Sequence, residues 1–153
     1  MLSDLSALVE VQRAGAVLAL GEIFPQDTYP FPTEEIRARW GAEIADPQID
    51  AFVIVDSEGA VVGFAATRGE ELLHFGTAAE TWGTGLAARV LAEIVDRLVL
   101  AGVTVARLRV FEGNGRACRF YEKQGWAATL RRSRTLFPPY PVLVEYERRL
   151  RAG

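Results

Sequence analysis

The turn Glu80-Thr81-Trp82-Gly83-Thr84-Gly85-Leu86-Ala87 leaves an apolar stretch, residues 71–77, that reads as a strand. Beyond it Leu86, Val90, Leu91, Ile94, Val95 and Leu98 recur at helical spacing. A helix entered from such a turn has unpaired first N–H groups and the positive end of its dipole aimed outward, which makes an anion site. Gly83 and Gly85 remove side chains where a phosphate would meet a Cβ, and small Ala87 allows close approach one turn further in. By itself the turn is equally compatible with an ordinary loop-to-helix junction. A second pattern follows in Asn114-Gly115-Arg116-Ala117-Cys118-Arg119-Phe120-Tyr121-Glu122-Lys123-Gln124-Gly125-Trp126. Asn114 is suited to cap a short helix, and Gly125 to the left-handed position that ends it.

Other chemistries find few residues. Cys118 is the only cysteine and His74 the only histidine, so a thiol nucleophile lacks a base near it in sequence. A zinc site would have to be completed by carboxylates, and no metal is expected. With 153 residues, 50% hydrophobic and 24% charged, the chain reads as one ordinary globular domain, 1–153. A net charge of -3 argues against a general nucleic-acid or anionic-membrane surface, although Arg131, Arg132 and Arg134 cluster, as do Arg148, Arg149 and Arg151. No apolar run reaches membrane-spanning length and no signal peptide is evident, so a cytoplasmic location is expected.

The elements that must position these residues follow in order. Leu5, Leu8, Val9, Ala16, Ala19, Leu20 and Ile23 trace one face of a first helix of roughly twenty residues, with Ser3 or Asp4 as its cap. Pro25, Pro30 and Pro32, separated by aromatics, then forbid regular structure. Thr33 is expected to cap a second helix with Glu34 and Glu35 in its first turn and Ile36, Trp40 and Ile44 facing inward. Residues 51–55, 60–67 and 71–77 read as three consecutive antiparallel strands. The helix after the glycine turn is a crossover, so the strand at 103–110 should lie parallel to the third. Two further strands, near 126–137 and 142–150, flank Pro138-Pro139-Tyr140-Pro141.

Together these features resemble the GNAT acyltransferase superfamily, whose members move an acetyl group from acetyl-CoA to an amine. The family's first motif, Arg or Gln, two residues, Gly, one residue, Gly or Ala, lies on Trp82-Gly83-Thr84-Gly85-Leu86-Ala87, with Trp82 in place of Arg or Gln. The second matches Asn114, Ala117, Phe120, Tyr121, Gly125 and Trp126 without a gap. The resemblance implies an α/β (α+β) fold, a mixed and mostly antiparallel central sheet with a parallel, splayed strand pair, flanked by helices. Residues 51–153 would form the acetyl-CoA-binding core and 1–46 the variable substrate-side helices. Family members usually begin with a strand, and here only Met1 to Ser3 precede the first helix, which would leave a sheet edge uncovered.

Transfer to a primary amine, with a pKa near 10.4, needs a base, and a thiolate leaving group gains from a proton donor. By resemblance Tyr121 is the general acid facing the CoA sulfur, and the backbone from Trp82 through Gly83, Thr84, Gly85 and Leu86 to Ala87 holds the pyrophosphate. Phe75 to Thr77 polarises the thioester carbonyl, and Asn114 either only caps its helix or also contacts the cofactor arm or substrate. Three residues compete as base. Glu71 shares a strand face with Leu73 and Thr77 by alternation, at a position where relatives often carry a catalytic or water-ordering group. His74 has the better intrinsic pKa but points to the opposite face unless a bulge intervenes. Glu70 is the third. The expected partners are acetyl-CoA and an amine, a small molecule in preference to a protein, with Asp27, Glu34 and Glu35 suited to a cationic one. A homodimer through the final strands or an uncovered edge is compatible with this reading. The alternative is a catalytically silent CoA-binding regulatory module, which Trp82 and the short N-terminus favour.

Overall fold

A computed structural model describes residues 2–150. Met1 and Arg151, the latter counted above in a basic cluster, lie outside the described residues. A short 3-10 turn leads into α1, Leu5–Ala19, and α2 follows at Thr33–Ala45. α1 stops short of the expected twenty residues because the chain turns at Leu20, whose N–H still bonds Ala16 O and whose carbonyl takes Ile23 and Phe24. Pro32, not Thr33, occupies the cap position of α2, and Thr33 is its first residue.

The strands are β1, Ile49–Val55; β2, Val61–Arg68; β3, Glu71–Thr77; β4, Val105–Phe111; β5, Ala127–Arg134; and β6, Val142–Arg149. α3, Leu86–Leu100, joins β3 to β4, and α4, Gly115–Lys123, follows β4. All six strands form one sheet in the order β1-β2-β3-β4-β6-β5, antiparallel except for β3 with β4. The expected mixed sheet with one parallel pair is therefore present, and β1 and β5 are its edges.

Helices cover the sheet from both sides. On one face Leu91, Ile94, Val95 and Leu98 of α3 are buried against Leu72, Ala106, Leu108, Val144 and Tyr146. Each such aliphatic side chain contributes about 1.5–3 kcal/mol on burial, enough to hold α3 on the sheet independently of helix propensity. On the other face Leu8 and Val9 of α1 and Trp40 of α2 pack with Ile49, Phe64 and Ala66. Trp40 is only 1% exposed and satisfies its indole N–H on Gln12 Oε1 at 2.7 Å, which ties α2 to α1.

Two departures from regular pairing build the site. The parallel ladder lasts for two partners, Glu71 with Arg107 and Leu72 with Leu108, and then the strands diverge. Beyond Leu72, β3 keeps β2 on one edge and exposes its other edge to the gap. The second departure is a bulge: Ala66 opposes His74 while Thr67 opposes Leu72, so Leu73 is the extra residue.

Candidate active site

The bulge overturns the strict alternation expected along β3. His74 opposes Ala66, a member of the α1/α2 core, and Leu73 packs against that same core. Phe75 opposes Ala65 and, with Leu72, belongs to the α3/α4 side. Glu71, Leu73 and His74 thus share the α1/α2 face, whereas Thr77, two residues past Phe75, lies on the opposite face from Glu71. The earlier grouping of Glu71 with Thr77 is corrected, and His74 is turned toward the site.

Two cavities meet at the gap. One, of about 830 Å³, lies under α1, α2, the proline-rich segment 24–32 and the β5–β6 connection. The other, of about 710 Å³, extends from β3 past Trp82 to α4. Leu73, His74, Arg109 and Phe111 line both, as do Gln12 and Ala16 of α1 and Leu20 just after it.

In the second cavity Phe75, Thr77, Trp82, Ala87, Asn114 and Tyr121 all contribute to the walls. Gly83, Thr84, Gly85 and Leu86 form the turn between Trp82 and Ala87 rather than the wall. Gly83 and Gly85 have φ of 81° and 88°, the left-handed region, and a Cβ at either position would meet nothing within 4 Å. Backbone conformation, together with an open approach, is why glycine stands there. The N–H groups of Gly83, Gly85, Ala87 and Ala88 make no backbone hydrogen bond within the described chain, so the turn is a cradle of free donors at the start of α3. These donors fit a pyrophosphate, and the free edge of β3 fits an extended amide-bearing arm.

Trp82, the residue that departs from the first motif, donates its indole N–H to Thr77 O at 3.0 Å. Asn114 caps α4 by accepting from Ala117 N at 3.2 Å, and Gly125 ends the helix region with φ of 93°, both as expected. Phe120 stacks on Phe75 at 6.4 Å. Tyr121 is 8% exposed, and burial, with a smaller push from the Cys118 thiol, raises its phenol well above the ordinary tyrosine range. A buried phenol of this kind holds its proton throughout the neutral range.

The candidate bases are separated by their partners. Glu70 lies outside both cavities, 57% exposed and within 3.6 Å of Arg107. Glu71 lines the first cavity but is engaged by Arg109 at 3.2 Å and Arg68 at 3.6 Å. His74 Nε2 lies 2.7 Å from Glu43 Oε2, and its ring packs 4.7 Å from Trp40. Burial alone raises the Glu43 carboxyl, but the His74 hydrogen bond and the charges of His74, Arg39 and Arg68 together hold it below the usual carboxylate value. An ionised Glu43 can only accept, so His74 donates to it through Nε2–H.

Glu43 and Gln26 are the residues that sequence reasoning missed. Gln26 pins the proline-rich segment, donating to Phe24 O at 2.8 Å and accepting from Phe31 N at 3.0 Å. Glu43 follows Trp40 by three positions on α2, a weak helical-face signal with no sequence link to His74. Asp27 and Glu34 line neither cavity, which leaves Glu35 as the only member of the acidic trio at the first one. Cys118 also lines neither. Among the described residues no group of His, Cys, Asp and Glu is arranged to hold a metal ion. No described helix is long and apolar enough to cross a membrane.

The sequence profile of the Acetyltransferase (GNAT) family matches residues 17–126. The chain belongs to the GNAT acetyltransferase family. No protein of curated function matches the sequence. Solved structures similar to it include a GCN5-related N-acetyltransferase from Rhodopseudomonas palustris, with a TM-score of 0.79 at 13% identity over 97% of this chain and 91% of that one. The PaiA N-acetyltransferase of Thermoplasma acidophilum, in complex with coenzyme A, has a TM-score of 0.72 at 18% identity over 97% and 94%. The ribosomal-protein-S18-alanine N-acetyltransferase of Escherichia coli has a TM-score of 0.70 at 21% identity over 99% and 91%. At these identities the likeness is one of fold.

Proposed function

We propose that this GNAT enzyme transfers the acetyl group of acetyl-CoA directly to the primary amine of a small molecule, in the cytoplasm. The observation that carries the reading is the gap between β3 and β4, where a donor cavity and an acceptor cavity share Leu73, His74, Arg109 and Phe111. Two substrates seated on either side meet without a covalent enzyme carrier, and the one thiol, Cys118, lies outside both cavities. The coenzyme A held by the PaiA enzyme supports the assignment of the donor side.

Bound acetyl-CoA supplies the acetyl group as a thioester. The turn from Trp82 through Gly83, Thr84, Gly85 and Leu86 to Ala87 holds its pyrophosphate through backbone N–H groups, and the free edge of β3 at Phe75 to Thr77 orients the arm and acyl carbonyl. Asn114 borders the arm while capping α4. His74, oriented by Glu43, takes the proton that the acceptor ammonium sheds, on Nδ1. Once the amine nitrogen has bonded to the acyl carbon, the C–S bond breaks, Tyr121 gives its proton to the departing sulfur, and the second proton that the new amide nitrogen sheds restores the phenol. Glu71, neutralised by Arg109 and Arg68, orders the acceptor side rather than acting as base.

The acceptor cavity is roofed by the pinned segment 24–32 and by Phe137, an enclosure that suits a small molecule better than a polypeptide. Glu35 and Glu43 with Phe24, Tyr29 and Phe31 favour a cationic amine bearing an apolar group. The test is release of free CoA across a panel of small amines and N-terminal peptides, with the intact mass of the protein followed in parallel. Turnover on small amines, with no acetylated protein formed in their absence, is the expected result. Turnover confined to peptides would overturn the acceptor class, an acetyl-enzyme would overturn direct transfer, and silence on every acceptor with CoA bound would favour the regulatory module.

A further inference from the structure

The glycine turn offers hydrogen-bond donors but little charge. Its N–H groups and the helix dipole amount to roughly half a positive charge, and the first motif position is the neutral indole of Trp82. The donor it is proposed to hold carries a pyrophosphate and a separate 3′-phosphate, a monoester of about -1.5 to -2 charge at neutral pH. That charge has to be met elsewhere on the cavity wall.

The arginines and lysine that line the donor cavity are Arg109, Arg116, Arg119 and Lys123. Arg109 is engaged by Glu71. The other three stand on α4 at intervals of three and four residues, one stripe spanning about 10 Å along the helix. Among the described residues none of the three is ion-paired, whereas every cation facing β3 from β2 or β4 is. Arg116 is also held in place, its guanidinium lying 3.8 Å from the centroid of the Trp82 ring. The indole is in turn fixed by its bond to Thr77 O and by α1, where a Cβ on Gly15 would sit 3.7 Å from Trp82 Cζ2. The residue that departs from the motif therefore serves as a platform for a guanidinium beside the phosphate turn.

We propose that Arg116, Arg119 and Lys123 form a phosphate-recognition edge of the donor cavity that reads the 3′-phosphate of CoA, with Arg116 anchored on Trp82 as its pre-positioned member. The inference rests on the acetyl-CoA reading above. A planar guanidinium held on an aromatic face loses little freedom when it binds phosphate, so Arg116 contributes more than the unanchored Arg119 and Lys123.

The test is calorimetric titration of CoA and 3′-dephospho-CoA into the wild-type protein, Arg116→Gln and the triple variant Arg116→Gln/Arg119→Gln/Lys123→Gln. The expected result is a preference for CoA of about tenfold or more in the wild type, a size typical of charge-assisted hydrogen bonds to phosphate. Arg116→Gln removes most of that preference, and the triple variant brings the two ligands within twofold while still binding dephospho-CoA. Equal wild-type affinities, or a preference that survives in the triple variant, would overturn the proposal and leave the acetyl-CoA reading standing. Binding of neither ligand at millimolar concentration would overturn both.

Discussion

Replacing Tyr121 by Phe isolates one atom of the proposed mechanism. The ring is held edge-on between Phe120, at 5.3 Å, and Trp126, at 6.1 Å, and these contacts survive the substitution. The hydroxyl makes no side-chain hydrogen bond within the described chain, and burial rather than a partner is the main cause of its raised pKa. Removing it leaves no orphaned group behind, so folding stability should change by less than about 0.5 kcal/mol. What is lost is the proton for the departing sulfur. General acids of this kind contribute about 10²–10⁴-fold, and a hundredfold loss in kcat corresponds to about 2.7 kcal/mol of barrier. The acetyl-CoA affinity should stay within about threefold, because the proposed mode holds the pyrophosphate and arm by backbone. The measurements are steady-state turnover of free CoA, calorimetric binding and thermal unfolding, on the same preparations. A Tyr121→Phe enzyme with kcat within twofold of wild type would remove the general acid from the mechanism. Equal losses of kcat and of acetyl-CoA affinity would assign Tyr121 to binding instead.

Three further substitutions test the same geometry. Glu43→Gln should lower kcat by about tenfold with acetyl-CoA binding unchanged, since it deprives His74 of its orienting carboxylate. Because the Glu43 carboxyl is depressed in the fold, its stabilising contribution is complete above the unfolded value of about 4.3 and is lost as pH falls through the lower folded value. The pH dependence of unfolding below about pH 5 should therefore flatten in Glu43→Gln, which acid titration of stability would measure. Gly85→Ala meets no steric obstacle but forces an alanine to φ of 88°, so it should cost about 1 kcal/mol of stability and weaken CoA binding, as read by unfolding and calorimetry. Gln26→Ala should raise the KM of the amine several-fold while leaving the CoA affinity alone, because Gln26 fixes only the roof of the acceptor cavity. An unchanged KM would show that the segment 24–32 does not contact the acceptor.

Much of the site was legible in the chain because it depends on local backbone. The turn at Gly83 and Gly85, the Asn114 cap and the Gly125 terminus each need a particular residue type within a few positions, so their signals lie close together in sequence. The alternation of β3 misled for the opposite reason. A bulge is a matter of register against β2, and nothing within Glu71-Leu72-Leu73-His74 marks Leu73 as the extra residue. The short helix and its tyrosine could be drawn from the second motif, but the depth of the Tyr121 phenol comes from α4 lying against the sheet.

The sequence by itself determined the order of elements, the single parallel pair, the glycine turn that opens α3 and the family, since periodicity, glycine placement and contiguous motifs are properties of neighbours along the chain. Tertiary structure alone decided which candidate base faces the gap, which carboxylate orients it, and that Arg116 rests on Trp82. His74 meets Glu43 across 31 positions, and Arg116 meets Trp82 across the crossover helix α3 and strand β4. Such pairings are set by how helices pack on a sheet and by one shifted register, and no local rule encodes them.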